Sequence, residues 1–189
     1  MNENHRQLCP SPEWAEFLHT HVLPWLVERA EIGPELIEVG PGPGASTEWL
    51  RHRVRRLVAV ELDADAADLL GKRFGHSNVE VLTADGTDLP FDDASFDSAA
   101  SFTMLHHVPT AEMQDAMLAE MARVLRPGGT LIGNESIESD DGRAFHEGDI
   151  YNPIDPAGLA DRLHAAGFAT AVVEPRDWKG VAFIARTAS

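Results

Sequence analysis

Leu36-Ile37-Glu38-Val39-Gly40-Pro41-Gly42-Pro43-Gly44-Ala45-Ser46 decides the fold. Leu36 to Val39 is a short apolar run of the kind that forms a buried strand. Gly40, Gly42 and Gly44 alternate immediately after it, and Thr47-Glu48-Trp49-Leu50 then begins a helical pattern. A glycine turn between a strand and a helix lets a ligand approach the backbone and meet the free N–H groups of the helix start. Gly40, Gly42 and Ala45 also satisfy G-x-G-x-x-G/A. At this level the stretch suits a nicotinamide cofactor or another adenosine-bearing one. Glu38 is a carboxylate in an otherwise apolar strand, and burying it unpaired would be costly. It therefore needs a cationic or hydrogen-bond-donating partner, such as an amino-acid ammonium or a loop N–H.

Working outward, the 189 residues suffice for one domain with a sizeable core. The net charge of −16, from 15 Lys and Arg against 31 Asp and Glu, repels phosphate backbones and anionic membranes. Neither nucleic acid nor membrane is therefore an expected partner. Cys9 is the single cysteine, and the polar start Met1-Asn2-Glu3-Asn4-His5-Arg6 has no signal-like apolar core. Both suit a cytoplasmic protein.

Residues 1–10 read as a tail. Ser11-Pro12-Glu13 starts a helix, with Trp14, Phe17, Leu18, Val22, Trp25 and Leu26 on one stripe and a kink expected at Pro24. After the glycine turn come a helix over 47–55 and a second strand, Leu57 to Glu61, whose terminal acid lies about 20 residues past Gly40, where a ribose-binding carboxylate is expected. A helix over 64–74 leads to a third strand over 79–83 and then to Ala84-Asp85-Gly86. A fourth strand spans 96–101, an amphipathic helix 110–125 stops at Arg126-Pro127-Gly128-Gly129, and a fifth strand spans 130–134. Residues 136–156 are polar, acidic and without period, which reads as a lid or a surface loop. A helix over 156–166 and two strands, 169–174 and 180–186, close the chain, the strands joined through Trp178 and Lys179. Alternating strands and helices imply a mostly parallel sheet covered on both faces.

With these landmarks in order, the chain resembles the class I, Rossmann-like S-adenosylmethionine-dependent methyltransferases, in particular the small-molecule branch that includes quinone-biosynthesis enzymes. The blocks are Glu38 to Gly44, Val60-Glu61-Leu62-Asp63, Ala84 to Phe91 with Ser95-Phe96-Asp97, Met104-Leu105-His106-His107-Val108, and Glu120 to Gly129. The resemblance implies a single-domain α/β fold with a seven-stranded, mostly parallel sheet, an antiparallel last strand and helices on both faces. Residues 1–30 would be an N-terminal tail and helices before a cofactor-binding domain over 31–189. It also implies S-adenosylmethionine as cofactor. Gly40, Gly42 and Gly44 would pack on its amino-acid and ribose portions. Glu38 would sit near the ammonium, and Glu61 would accept from both ribose hydroxyls. Leu62 would pack on the adenine, Asp85 and Gly86 would bond it, and Phe102 would offer its carbonyl to the ammonium.

The implied activity is methyl transfer to a small-molecule acceptor by in-line displacement, in which proximity and orientation supply much of the rate. His107, His146 and Tyr151 are the candidates to move a proton or orient the acceptor. Residues 136–156 and the N-terminal helices are expected to form the acceptor side. A non-catalytic cofactor-binding protein is the alternative. A nicotinamide oxidoreductase fits less well, because Tyr151, the only tyrosine, is followed four residues on by Asp155 instead of lysine. Asp140, Asp141, His146, Glu147 and Asp149 match no metal-ligand spacing, and no metal is assigned.

Overall fold

The computed structural model describes residues 2–177 and 180–189. The expected connection through Trp178 and Lys179 thus lies partly outside the described residues. The chain begins with α1 (Glu3–Leu8), capped by the Asn2 side chain, so the first ten residues are not the expected tail. Sequence patterning misses α1 because its buried side chain is His5, not an apolar residue. The segment is held in place through tertiary bonds. Asn2 Nδ2 donates to the carbonyls of Phe145 (2.8 Å) and Glu147 (3.2 Å), and its backbone N–H donates to Asp149 (2.7 Å).

α2 (Pro12–Phe17) has Ser11 as its cap and Pro12 at its first position, as the sequence implies. The kink expected at Pro24 takes the form of a widened, π-helical turn at Leu18–Val22, after which α3 (Leu23–Val27) resumes. Pro24 has no N–H to donate and its ring crowds the preceding turn, and a widened turn absorbs both defects.

β1 (Glu35–Val39) leads through the glycine turn to α4 (Ala45–Leu50). β2 (Arg56–Glu61), α5 (Ala64–Phe74) and β3 (Val79–Thr83) follow, then β4 (Phe96–Phe102). A single helical turn at Leu105–His107 precedes α6 (Ala111–Arg123), and β5 (Leu125–Ser136) comes next. The segment 136–156 is not a structureless loop: it contains α7 (Asp140–Phe145), capped by Ser139. α8 (Pro156–Ala165), β6 (Thr170–Arg176) and β7 (Gly180–Arg186) end the chain.

The seven strands lie in the order β3-β2-β1-β4-β5-β7-β6. β1 pairs in parallel with β2 and β4, and β7 runs antiparallel to its neighbours β5 and β6. This is the sheet the sequence predicts. The strand order reverses between β1 and β4, and in open α/β sheets ligands bind at that crevice, beyond the carboxyl ends of the strands.

β1 is buried on both faces. Ile37 and Val39 join one core with Leu118, Met121, Leu159, Leu163 and Phe183, under α6 and α8. Leu36 joins the other, with Leu18, Leu26, Leu50, Leu70 and Phe74, under the N-terminal helices, α4 and α5. Residues 18–30 therefore share a core with the cofactor-binding half of the chain. Glu120 and Arg123 of α6 fix the connection after β3. Glu120 accepts from Leu89 N–H at 2.8 Å, and Arg123 donates to the carbonyls of Leu89 (2.9 Å) and Phe91 (2.8 Å). Among the described residues no helix is long and apolar enough to cross a membrane.

Candidate active site

A cavity of about 280 Å³ opens at the β1–β4 switch point. Its walls come from the loops after four strands: Gly40 to Pro43 after β1, Glu61 and Leu62 after β2, Ala84 to Thr87 after β3, and Phe102 to Met104 at the end of β4. The glycine turn is built as its sequence demands. Gly40 (φ +72°) and Gly44 (φ +84°) are left-handed, where a side chain is strained. A Cβ on Gly40 would lie 2.1 Å from Met104 Cγ, and one on Gly44 would lie 2.5 Å from Leu70 Cδ1. Gly44 thus packs on α5 and is not part of the cavity wall, whereas Gly40 and Gly42 are.

Glu38 also stands behind the wall. It is 1% exposed and accepts hydrogen bonds from the hydroxyls of Ser46 and Thr47 (2.6 Å for Thr47) in the first turn of α4. Within the chain, the donors expected for it are therefore hydroxyls of the following helix. Burial pushes its carboxyl up to about 7, and the two hydroxyls pull it partly back. Ser46 itself lines the cavity, so Glu38 reaches the site through Ser46.

Glu61, which ends β2, and Asp85, two residues past the end of the adjacent parallel β3, both line the cavity. Glu61 Oε2 accepts from Gly42 N–H at 3.3 Å and Oε1 from Asp63 N–H at 3.1 Å, so each oxygen keeps a free lone pair. Both Thr87 donors to Asp85, the N–H at 2.9 Å and the hydroxyl at 2.8 Å, go to Oδ1. Gly86 leaves no space for a side chain: a Cβ would meet Met117 Cε at 2.4 Å and Val39 Cγ1 at 2.9 Å. Leu62 stands 70% exposed at the lip. Two acceptor carboxylates over an apolar floor of Val39, Val60 and Met117 fit a ligand with vicinal hydroxyls and a flat amino-bearing ring. An adenosyl group has that chemistry, and these residues would hold it.

Several wall residues went unrecognised in the sequence. Thr103 has φ +48°, a rare conformation for a non-glycine residue, and such strain clusters at ligand sites. Cys9, Trp14, Leu18, Met113 and Met117 make an apolar side. The first three come from the N-terminal segment, with Cys9 at the end of α1, whereas no residue of 136–156 lines the cavity, so the lid expected there does not form its wall. Burial raises the pKa of the Cys9 thiol, which leaves it an uncharged apolar wall.

Of the three proton-transfer candidates only His107 lines the cavity. His146 and Tyr151 lie behind it. Their rings stack at 4.2 Å, and the Tyr151 hydroxyl donates to the Ile137 carbonyl at 2.9 Å. They back the wall and do not form it. Burial, with the neighbouring His106, His5 and His146 rings, pushes His107 down to about 3. Burial first, then His146, pushes His5 down to about 4, and burial also lowers His146. The structure brings His5, His106, His107 and His146 together, with one ring nitrogen from each within 4.8 Å of the others. Of the potential ligands singled out within residues 136–156, only His146 belongs to this group.

The chain resembles known proteins in sequence and in shape. A methyltransferase domain family matches residues 37–133, just over half of the chain. Fatty-acid O-methyltransferase of Mycolicibacterium smegmatis is 33% identical over 102 residues, which is 53% of this chain and 36% of that protein. Probable tRNA methyltransferase 9B of Bos taurus is 35% identical over 88 residues, 47% of this chain and 19% of that protein. The chain thus spans little more than a third of the length of these relatives, or less. The PH0226 protein from Pyrococcus horikoshii OT3 superposes with a TM-score of 0.80 at 17% identity, over 99% of both chains, which is a likeness of fold. The matched segment contains the glycine turn, Glu61, Asp85 and the His106–His107 turn, the elements that build the cavity. The chain belongs to the class I, Rossmann-like S-adenosylmethionine-dependent methyltransferase family.

Proposed function

We propose that this chain methylates a small, largely apolar acceptor whose reacting atom needs no strong base near neutral pH, such as a carboxylate or an acidic enol or phenol. The observation that carries this reading is the acceptor side of the cavity, where Trp14, Leu18, Met113 and the His107 ring face the same space as the cofactor loops. When bound, S-adenosylmethionine supplies an electrophilic methyl group on its sulfonium sulfur. Glu61, Asp85, Gly86 and Leu62 hold the adenosyl end, and Ser46, backed by Glu38, and the Phe102–Thr103 backbone flank the other end. Trp14, Leu18 and Met113 bury the apolar body of the acceptor and exclude water. His107 is held neutral and presents a ring that orients the acceptor by hydrogen bonding. With its pKa pushed so low it is a weak base, so the rate comes from alignment, which can supply several kcal/mol of the barrier.

The net charge of −16 opposes an RNA acceptor, despite the tRNA methyltransferase among the relatives. Incubation with cofactor carrying a labelled methyl group, against a panel of fatty acids and quinols on one side and tRNA and rRNA on the other, tests the reading. Label should enter the organic-extractable products, and Trp14→Ala should raise the acceptor KM. Label entering RNA alone would overturn the proposal.

A further inference from the structure

We propose that His5, His106, His107 and His146 form a four-histidine site for a divalent transition-metal ion of the zinc type. The site backs the cavity wall, which His107 itself helps to form, and joins three segments of the chain: α1, the turn after β4, and the end of α7. His5, His106 and His146 are buried, and His107 is partly so.

The tautomers of three rings follow from their neighbours. His106 Nδ1 lies 2.7 Å from a Glu135 oxygen, and that buried carboxylate also accepts from the N–H groups of Met104 and Leu105 at 2.7 Å. His146 Nδ1 lies 2.7 Å from the Gly142 carbonyl. His5 Nδ1 lies 2.8 Å from Asn2 Oδ1. The Asn2 amide cannot be turned the other way, because its Nδ2 donates to two carbonyls and its Oδ1 accepts from His5 N–H. Each Nδ1 therefore faces an acceptor and must carry the proton. In the neutral rings Nε2 is then a bare lone pair.

This creates a conflict that an ion resolves. His5 Nε2 and His146 Nε2 lie 3.1 Å apart. Two lone pairs at that distance repel, and no hydrogen bond joins them unless one ring becomes a buried cation. A metal ion between them turns the repulsion into two bonds. Zinc–imidazole bonds of about 2.0–2.1 Å at tetrahedral angles put ligand nitrogens about 3.4 Å apart, close to this spacing. Closing the remaining pairs from their 4.8 Å limit needs movements on the order of 1 Å. Histidines whose far nitrogen is bonded to a carboxylate or a carbonyl are also the usual arrangement behind metal ligands, since the outer acceptor fixes the ring and raises its basicity. Four protein ligands leave no open position, so the ion is structural. It clamps α1 and α7 onto the turn that carries His107, and so holds the back of the acceptor wall.

The inference does not depend on methyl transfer, because its readout is metal content. Untagged full-length chain is stripped with chelator and dialysed, then titrated with zinc alone and with cobalt(II) alone. One equivalent should bind, with the strong visible bands of tetrahedral cobalt. His5→Gln and His146→Gln should each weaken zinc by at least the 10–100-fold expected for a lost outer partner. Asn2→Ala keeps all four ligands but frees the His5 ring and removes the cap of α1 and its bonds to the Phe145 and Glu147 carbonyls, and should weaken zinc by at least about 10-fold. It remains readable if a histidine variant fails to fold. A chain that takes up no stoichiometric zinc, or Asn2→Ala and folded histidine variants with parental affinity, would overturn the site and leave a proton shared between His5 and His146, with Asp149 at 3.4 Å from His5.

Discussion

Glu38→Gln should abolish a specific part of the pH dependence of stability. Glu38 is 1% exposed, and its bonds are to two hydroxyls of α4. Burial carries its carboxyl from 4.5 up to about 7. Each pH unit of displacement corresponds to about 1.4 kcal/mol, so ionised Glu38 is about 3 kcal/mol less favourable in the folded chain than in the unfolded one. The sign follows from proton counts. Between pH 4.5 and 7 the folded chain keeps this proton while the unfolded chain releases it, so stability falls as pH rises. The contribution is full below about pH 4.5, fades up to about 7 and is gone above it. Glutamine has the same shape and no charge, and a hydroxyl of Ser46 or Thr47 can turn to accept from its amide. Other titrating groups cancel in the difference between variant and parent. That difference should be near zero or slightly unfavourable at pH 5 and should favour the variant by about 2–3 kcal/mol at pH 8. Urea unfolding followed by tryptophan fluorescence at pH 5, 6, 7 and 8 measures it. A difference that does not change with pH would refute the reasoning, because Glu38 would then titrate alike in both states.

Two further outcomes follow from the same geometry. Gly44→Ala combines a left-handed backbone with a Cβ 2.5 Å from Leu70 Cδ1 and 2.8 Å from Phe74 Cε2, and should cost about 1–3 kcal/mol in chemical denaturation. Asp85→Asn keeps an acceptor oxygen and should weaken S-adenosylmethionine by less than Asp85→Ala in a calorimetric comparison, since only the alanine change leaves the ligand donor unpaired.

The legible half of the molecule is the half in which local pattern and tertiary role coincide. β1 and β2 are buried on both faces, so their apolar runs stand out in the sequence. The turn after β1 needs left-handed residues, and the alternating glycines announce it. Asp85 stands out because it follows the end of β3 by two residues, next to the strand that ends in Glu61. What stayed hidden depends on partners remote in the chain. α1 has no apolar face, and it exists through Asn2 and His5, which bond residues 145–149 more than 140 positions away. α7 is six residues long with Gly142 inside it, too short to show a period. The histidine group escaped notice because no two segments that build it are neighbours in sequence. The need of Glu38 for donors is legible, because a buried unpaired carboxylate is costly, but nothing local marks the two hydroxyls in the first turn of the next helix as its partners.

The central claim is that the cavity at the β1–β4 switch point holds an adenosyl cofactor of the sulfonium type through Glu61. Isothermal titration of the parent chain and of Glu61→Ala with S-adenosylmethionine, S-adenosylhomocysteine and NAD tests it most directly. Both sulfur cofactors should bind the parent with 1:1 stoichiometry, NAD should give no binding heat, and Glu61→Ala should lose about 1–3 kcal/mol of affinity as two hydrogen bonds disappear. NAD binding in preference to the sulfur cofactors, or a Glu61→Ala chain that binds them as tightly as the parent, would contradict it.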